Sequence, residues 1–152
     1  MKTEKKSPQE FLDAAYEEAK VALEKNEVPI GCVVVKDGEI IACAHNETEG
    51  TSDPTKHAEV IAIEKAVKVL GKSLVDCALF VTVEPCAMCA GAIVNSKVGY
   101  LYYGVEEPKS GCCESLYNLV SDGRLNWRVK KSTNMHDEKC KDLMQKFFED
   151  RR

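Results

Sequence analysis

The sequence predicts an α/β fold, a three-layer sandwich in which a central sheet of five strands has helices on both faces. Two observations lead to this prediction. Runs of β-branched and apolar residues alternate along the chain with segments whose apolar residues recur at helical spacing, and such alternation favours a sheet covered on both faces. The 152 residues are 44% hydrophobic and 30% charged, a composition typical of a globular protein with one core. We therefore expect a single domain over residues 1–152.

The first predicted element is a helix with a defined start. Ser7 has the character of an N-cap, Pro8 suits the first helical position, and Glu10 completes a capping box. Apolar residues then recur at helical spacing, which predicts a helix that buries one face and continues to about Lys25.

A hairpin is predicted next. β-branched and apolar residues fill 29–36 and 39–45, and the Asp37-Gly38 dipeptide between them is typical of a two-residue hairpin turn. The polar residues 46–56 predict a loop.

The remainder of the chain continues the alternation of helices and strands. Gly71 is expected to end one helix, because glycine adopts the backbone conformation that helix ends require. The predicted elements are a helix at 57–70, a strand at 78–83, a helix at 86–95, a strand at 98–103, a short helix at 111–120, a strand at 126–130 and a helix from about residue 137.

The charge of the chain limits how it could bind nucleic acid. A net charge of -4 argues against a protein that coats nucleic acid non-specifically, because such binding depends on neutralising phosphates. Residues 124–152 nevertheless carry nine Lys or Arg against five Asp or Glu. This segment is either a contact for a polyanion or a solvated surface.

The cellular location is inferred from what the apolar segments could do. Residues 1–8 are polar and lack the apolar stretch of a secretory signal, and no apolar run is long enough to cross a bilayer. We expect a cytoplasmic location, or a nuclear one in a eukaryote, and no membrane contact. The eight cysteines are then thiols or metal ligands rather than a disulfide framework.

Two short motifs carry the candidate chemistry. His57-x-Glu59 alone is a weak signal, because a histidine two positions from a glutamate is common on helix surfaces. Cys86-x-x-Cys89 is stronger, because two cysteines at this spacing direct both sulfurs to one point, as a tetrahedral zinc site requires. Both motifs fall on the first turn of a predicted helix, where thiolates are favoured. We expect them to form one shared site.

The number of ligands indicates the kind of site. His57, Cys86 and Cys89 supply three ligands, and zinc with three protein ligands keeps a position open for water, as in catalytic sites, whereas structural sites have four. Cys112 and Cys113 could supply a fourth. Neighbouring side chains in a short helix point apart, which favours core or loop thiols instead. We predict one zinc ion per chain.

The combination of His-x-Glu with Pro-Cys-x-x-Cys resembles the signature of the cytidine deaminase superfamily. Within it, the chain is most similar to tRNA-specific adenosine deaminases, which convert wobble adenosine to inosine. The resemblance implies a mixed sheet of the cytidine-deaminase type, hydrolytic deamination and the anticodon loop of tRNA as substrate. The segments that carry it extend along nearly the whole chain, at 27–31, 45–46, 53–59, 81–92 and 147–148.

The same resemblance implies roles for individual residues. Glu59 would move protons and Asn46 would hydrogen-bond the substrate nucleoside. The further substrate contacts that it implies are Glu27, Val28, Pro29, Ala58, Glu107, Lys109, Phe147 and Phe148. The alternatives are a turn residue at Asn46, strand-edge packing at Val28 and Pro29, and core packing at Phe147.

The chain departs from the bacterial pattern in its C-terminal third. Residues 107–111 read Glu-Pro-Lys-Ser-Gly where bacterial enzymes have Asp-Ala-Lys-Thr-Gly, Cys112 and Cys113 replace small residues, and Trp127 replaces a histidine. The cysteine-rich loop resembles the catalytic subunit of the eukaryotic heterodimeric enzyme. The resemblance therefore implies either a homodimer or a heterodimer with a second deaminase-like subunit.

Two other functions remain open at this point. One is a deaminase of a free nucleobase or nucleoside, such as cytosine, cytidine or guanine. The other is a non-catalytic subunit that binds zinc and RNA. Glu59 argues against the second, because metal binding alone does not require that carboxylate.

Overall fold

The structure, a computed structural model, describes residues 6–151 and contains the alternating helices and strands that the sequence predicts. The predictions that fall on residues 1–5 and on Arg152, the end of the basic segment, lie outside the described residues. In chain order the elements are α1 (Pro8–Glu24), β1 (Gly31–Lys36), β2 (Glu39–His45), α2 (Thr48–Thr51), α3 (Ala58–Leu70), β3 (Cys77–Val81), α4 (Ala87–Asn95), β4 (Tyr100–Tyr103), a 3₁₀ turn (Leu119–Ser121), β5 (Lys131–Asn134) and α5 (Glu138–Glu149). Within residues 6–151, every helix is too short or too polar to cross a membrane.

The five strands form one mixed sheet in the order β2-β1-β3-β4-β5. β1 is antiparallel to β2 and β3, whereas β3, β4 and β5 run parallel. The hairpin turn has positive φ at both central residues, 52° at Asp37 and 77° at Gly38, as a type I′ turn requires. The prediction of a mixed five-stranded sheet is confirmed.

Helices cover both faces of the sheet. On one face Val33, Val35 and Phe80 pack with apolar residues of α1 and with Cys140 of α5. On the other face Val34 and Leu79 belong to a larger cluster that includes α3 and α4. Since neighbouring residues of a strand point to opposite faces, the two clusters form separate layers of core. The predicted three-layer α/β/α sandwich is confirmed.

The predicted helix at 111–120 is wrong. These residues form turns and end in the 3₁₀ turn at Leu119–Ser121. The physical reason is that the backbone N–H groups of residues 113–115 donate to the carboxylate of Glu84. In an α-helix the same groups would donate to carbonyl oxygens four residues earlier. A tertiary contact has therefore replaced the helical hydrogen bonds.

The predicted strand at 126–130 is also wrong, since β5 lies at Lys131–Asn134. The apolar residues that suggested a strand are used for packing instead. Val129 is 4% exposed in the core, and Nε1 of Trp127 donates to the carbonyl oxygen of Val98 at 2.9 Å. The more polar residues that follow pair with β4.

A close approach between α1 and β1 fixes one face of the sandwich. A Cβ atom on Gly31 would overlap the carbonyl oxygen of Ala15 and would lie 2.5 Å from the backbone nitrogen of Ala19. Both alanines are fully buried. Small residues on both partners thus let the backbone of the helix pack directly on the start of the strand.

We expect Gly31→Ala to lower the free energy of unfolding by about 1–3 kcal/mol, because the added methyl group must push α1 away from the sheet. Urea unfolding followed by circular dichroism measures the change. Gly91→Ala in α4 is the matched control, because a Cβ there would meet open space within the described chain. The control should leave stability unchanged or raise it by up to about 1 kcal/mol. Equal midpoints for wild type and Gly31→Ala would contradict the close approach.

Candidate metal centre

Two helix starts on the same face of the sheet carry the three candidate ligands. His57 immediately precedes α3 and Cys86 immediately precedes α4, both in extended backbone conformation, and Cys89 lies in the first turn of α4. α3 and α4 contribute to the same core cluster. The donor atoms of the three side chains lie within 4.8 Å of one another. The structure thus brings the two sequence motifs together.

The distances between the donors fit a tetrahedral zinc ion. With Zn–S at about 2.3 Å and Zn–N at about 2.0–2.1 Å, tetrahedral angles separate sulfur from nitrogen by about 3.6 Å. Nδ1 of His57 lies 3.7 Å from Sγ of Cys86 and 3.5 Å from Sγ of Cys89. Two thiolates and one imidazole are also the donor types that zinc prefers. Three such donors leave one coordination position open.

The suggested fourth ligands lie outside this group. In the part of the chain that the structure describes, the group of converging donors consists of His57, Cys86 and Cys89. Cys112 and Cys113 are each 3% exposed and belong to the core cluster between the sheet and α3 and α4. The arrangement agrees with their interpretation as core thiols.

The pKa values of the three donors depend on the hydrogen bonds between them. A hydrogen bond from the Cys89 thiol, together with one from the His57 ring, lowers the pKa of Cys86 to about 4 although burial acts in the opposite direction. The same contact with Cys86, together with burial, raises the pKa of Cys89 above its ordinary value. The hydrogen bond to Cys86 raises the pKa of His57. Binding of a metal ion by both sulfurs requires that Cys89 also lose its proton, because metal ligands must be deprotonated.

Glu59 lies in the first turn of α3 beside these donors. The residue is 3% exposed, and burial, reinforced by the negative charge of Cys86, raises the pKa of Glu59 to about 7. A carboxyl group with a pKa near neutrality can both accept and donate a proton. Glu59 is therefore the group in this neighbourhood that is suited to proton transfer.

A cavity of about 210 Å³ opens beside the donors. It brings together predicted site residues from distant parts of the chain: Val28, Asn46, His57, Glu59, Cys86, Glu107 and Phe148. It is also lined by residues to which the sequence assigned no role: Ile30, Thr48, Val83, Glu84, Ser110 and Met144. Most of the latter are apolar or small polar residues, which carry no recognisable signal until the fold places them on a cavity.

The side-chain amide of Asn46 already uses its oxygen atom in a hydrogen bond within the protein. Its Oδ1 accepts a hydrogen bond of 2.8 Å from the backbone N–H of Ala58, and the residue is 4% exposed. The group that Asn46 has left to offer to the cavity is its NH₂ donor. Ala58 thus supports Asn46 through its backbone, while its own fully buried side chain packs in the core.

Glu27 lies behind the cavity lining rather than in it. Its carboxylate accepts hydrogen bonds from the hydroxyl of Thr48 at 3.3 Å and from the N–H groups of Glu49 at 2.9 Å and Gly50 at 2.8 Å. Burial alone would raise the pKa of Glu27, but these bonds hold it below its ordinary value. Glu27 therefore fixes α2, which carries Thr48 to the cavity.

Three other predicted contacts also lie outside the cavity lining. Pro29 is fully buried, which agrees with packing at a strand edge. Phe147 is 5% exposed and packs edge-on against Phe148, which is 51% exposed and reaches the cavity. Lys109 is exposed, and its N–H donates to the carboxylate of Glu107 at 2.9 Å.

Glu84 is one of the residues of this region that sequence reasoning missed. It is 4% exposed and accepts hydrogen bonds from the segment 107–115. Burial alone would raise the pKa of Glu84, but hydrogen bonds, led by those from Ser115, hold it below its ordinary value. A glutamate between an apolar strand and a proline gives a weak signal, because glutamates in such positions are usually solvated.

The cavity continues into a larger groove of about 600 Å³ between α5 and residues 105–108. Four residues line both spaces: Val83, Glu107, Met144 and Phe148. The groove also carries Lys141 beside Glu106 and Glu149. It is therefore an open, amphipathic surface that leads to Glu59.

Several basic side chains of the segment 124–152 form contacts with nearby residues of the protein. Arg124 pairs with Asp122 at 2.7 Å, and Lys139 pairs with Asp13 and Asp137, both at 2.7 Å. The guanidinium of Arg151 lies 3.8 Å from the ring centroid of Phe147. These side chains stabilise local structure, which reduces the charge that the segment has available for a polyanion.

The chain matches known deaminases in sequence and in fold. Residues 6–152 match the sequence model of the MafB19-like deaminase family. A tRNA-specific adenosine deaminase of Streptococcus pyogenes serotype M18 is 44% identical over 139 residues, which cover 91% of this chain and 87% of that protein. The resemblance inferred from the motifs is confirmed.

Solved structures of deaminases also resemble this chain. One, from a study of A-to-I editing by tRNA:A34 deaminases at the wobble position of transfer RNA, superposes with a TM-score of 0.84 at 37% identity and covers 89% of this chain and 99% of that chain. A guanine deaminase of Bacillus subtilis is 42% identical in sequence and superposes with a TM-score of 0.63, but the alignment covers 66% of this chain and 66% of that chain. By its family match and by relatives that align over nearly its whole length, the protein belongs to the MafB19-like deaminase family and, within it, to the tRNA-specific adenosine deaminases.

Proposed function

We propose that this protein acts as one catalytic domain that converts the wobble adenosine of a tRNA anticodon loop to inosine by zinc-assisted hydrolysis. The observation that carries the proposal is the continuity between the small cavity at Glu59 and the larger groove. A polynucleotide substrate needs both spaces, one for the reacting base and one for its neighbours. The names of the relatives supply the nucleotide class.

The two volumes suit a base that is splayed out of an RNA loop. The cavity, about 210 Å³, is smaller than the roughly 300–1,000 Å³ of pockets that enclose drug-sized ligands, so it suits one base. Unstacked loop bases can enter such a pocket at modest cost, and their neighbours commonly stack on aromatic side chains. The exposed ring of Phe148, where cavity and groove meet, offers that surface.

The reaction requires an activated water and a proton carrier. A zinc ion held by His57, Cys86 and Cys89 would lower the pKa of a water molecule towards about 7 and so make it nucleophilic at neutral pH. Glu59 accepts a proton from the attacking water and delivers it to ring N1 while the oxygen adds at C6. Glu59 then takes the remaining proton from the new hydroxyl group at C6 and gives it to the amine. The C6–N bond breaks, ammonia leaves, and the C6=O bond of inosine forms.

The remaining contacts orient the base. The NH₂ group of Asn46 donates towards an acceptor atom of the nucleoside, since the Oδ1 of Asn46 is occupied by the N–H of Ala58. Val28 forms an apolar wall. Glu107, with Lys109 beside it, lies at the opening towards the groove. Glu27, Pro29 and Phe147 support this lining from behind rather than by direct contact.

A free-base deaminase is the second candidate. It is favoured by the likeness to the guanine deaminase of Bacillus subtilis, which is 42% identical where the two structures align. That activity would use the small cavity and leave the groove without a role. The non-catalytic zinc or RNA-binding subunit is the third reading, and the burial of Glu59 with a pKa raised to about 7 argues against it.

We also propose that two copies of the chain associate. Met88 in α4 is 37% exposed, and Leu116 and Tyr117, which precede the 3₁₀ turn, are 52% and 66% exposed. Exposed apolar groups of this size favour a protein interface. A heterodimer with a second deaminase-like subunit is the alternative.

If these residues form a homodimer interface, wild type should sediment with twice the chain mass and Tyr117→Asp with the mass of one chain, because a buried unpaired carboxylate opposes association. Val69→Asp in α3, equally exposed at 66%, is the control and should keep the wild-type mass. A monomeric wild type would point to the heterodimer, and a dimeric Tyr117→Asp would place the interface elsewhere.

Cys86→Ser should lose zinc. Wild type is expected to contain about one zinc per chain, and removal of one of three protein ligands should weaken binding by at least about tenfold, because a hydroxyl is a poor substitute for a thiolate. Metal content is measured by atomic emission after dialysis. Cys112→Ser is the matched control, because that buried thiol lies outside the donor group. Loss of zinc from Cys112→Ser would instead identify a closed site with a fourth ligand.

The activity itself is tested on an anticodon stem-loop that carries a wobble adenosine, beside free adenosine, cytidine, cytosine and guanine. We expect inosine in the stem-loop only. Glu59→Gln should retain zinc and lower kcat by about 10²–10⁴-fold, because the proton carrier is removed while the ligands remain. Inosine and ammonia are quantified by chromatography and a coupled assay.

The other outcomes of this assay separate the candidates. Deamination of guanine or another free substrate, with none in the stem-loop, would overturn the tRNA assignment. Retention of RNA binding and zinc without any deamination would favour the non-catalytic subunit. Unchanged kcat in Glu59→Gln would remove Glu59 from the mechanism.

A further inference from the structure

A buried carboxylate that the proposed chemistry does not use lies beside the cavity. Glu84 follows β3 and is 4% exposed. Its Oε2 accepts the backbone N–H groups of Cys113 at 2.9 Å, Glu114 at 2.8 Å and Ser115 at 2.9 Å. Its Oε1 accepts the N–H of Glu107 at 2.9 Å and the hydroxyl of Ser115. One side chain thus ties down both ends of the segment 107–115.

These contacts use up the hydrogen-bonding capacity of Glu84. A carboxylate offers about four lone-pair sites, and the structure directs five donors at this one. Little capacity is left for a substrate or an attacking water. Glu84 is therefore placed to hold protein structure rather than to transfer a proton, although it lies on the cavity.

The segment is fitted closely around the carboxylate. A Cβ atom on Gly111 would overlap the Glu84 carboxyl group, so any larger residue there would push the two apart. The N–H of Cys112 donates to the carbonyl oxygen of Pro85 at 2.9 Å. The segment consists of turns and contains no helix or strand, so its shape depends on these contacts.

The same segment forms one wall of the cavity. Glu107 and Ser110 line the cavity. On its outer side the segment is held through Glu114, whose carboxylate accepts hydrogen bonds from the hydroxyl of Tyr103 at 2.8 Å and from Nδ2 of Asn134 at 2.7 Å. Loss of the hydrogen bonds to Glu84 would therefore loosen the wall, while the hydrogen bonds to Glu114 would keep the segment near the sheet.

We propose that Glu84 is a positioning residue that holds the segment 107–115 as a wall of the substrate cavity and thereby sets how tightly the substrate binds. The effect on substrate binding rests on the function proposed above for the cavity. The effect on the segment itself does not. The two parts can be tested separately.

The test compares Glu84→Gln with Glu17→Gln, the same chemical change at a side chain that is 66% exposed on α1. An amide in place of the carboxylate leaves either three N–H donors, or one N–H and one hydroxyl donor, facing an NH₂ group. Amide hydrogen exchange in peptides that span 107–115 should become about tenfold faster in Glu84→Gln, since such donors lose their buried partner. Exchange in α1 should stay as in wild type, and Glu17→Gln should match wild type throughout.

Steady-state kinetics on the stem-loop supplies the second readout. Glu84→Gln should raise KM by about tenfold with kcat changed less than about threefold and zinc content unchanged, because the wall contacts substrate while Glu59 and the ligands stand on other elements. A general loss of structure would lower kcat and zinc content as well. Inactive wild type would overturn the proposed function, whereas the exchange measurement would still decide whether Glu84 holds the segment.

A milder variant covers the case in which Glu84→Gln does not fold. Ser115→Ala removes only the hydroxyl donor to Glu84 and should speed exchange in 107–115 and raise KM, each by about threefold. Ser73→Ala, at an exposed serine, is its control.

If the folded variants exchange amide hydrogens in 107–115 at the wild-type rate, the positioning role is overturned. Faster exchange with unchanged KM would overturn the link to the substrate cavity. Loss of zinc would show that Glu84 acts through the ligand helix instead.

Discussion

The site depends on two helix starts that are held side by side on one face of the sheet. His57 precedes α3, and Cys86 and Cys89 begin α4, so the 3.5 and 3.7 Å separations of their donors are set by how these helices pack. The packing is close because small residues, among them Ala58 and Ala90, are fully buried there. Helix N-termini also favour negative charge, which supports the thiolates that a metal ion needs.

Three buried glutamates around the cavity show how the number of hydrogen-bond donors decides the use of a carboxyl group. Glu27 and Glu84 accept three and five hydrogen bonds respectively, and these hold their pKa values below the ordinary value against the effect of burial. Burial prevails at Glu59, whose pKa rises to about 7. The two carboxylates with several hydrogen-bond donors therefore organise loops, whereas Glu59, with its raised pKa, can exchange protons.

The arrangement of cavity and groove separates chemistry from recognition. The cavity is small and holds the groups suited to catalysis, whereas the groove is larger and is lined by side chains of α5 and residues 105–108. Phe148 and Met144 from the end of the chain complete the lining of both. A substrate that occupies both spaces is thus held by residues far from Glu59 in sequence, which allows recognition to change while the proton chemistry stays the same.

The sequence by itself determined the α/β sandwich, the hairpin at Asp37-Gly38 and the two motifs of the metal centre, because these depend on periodicity and on spacing within one turn of chain. It did not determine the shape of residues 107–115 or the position of β5. The local pattern suggested a helix in the first region and an earlier strand in the second. The N–H groups of residues 113–115 instead donate to Glu84, which lies 29 to 31 positions earlier in the sequence. Only the tertiary structure could decide this, because the free energy of satisfying a buried carboxylate exceeds the weak helical preference of a short segment.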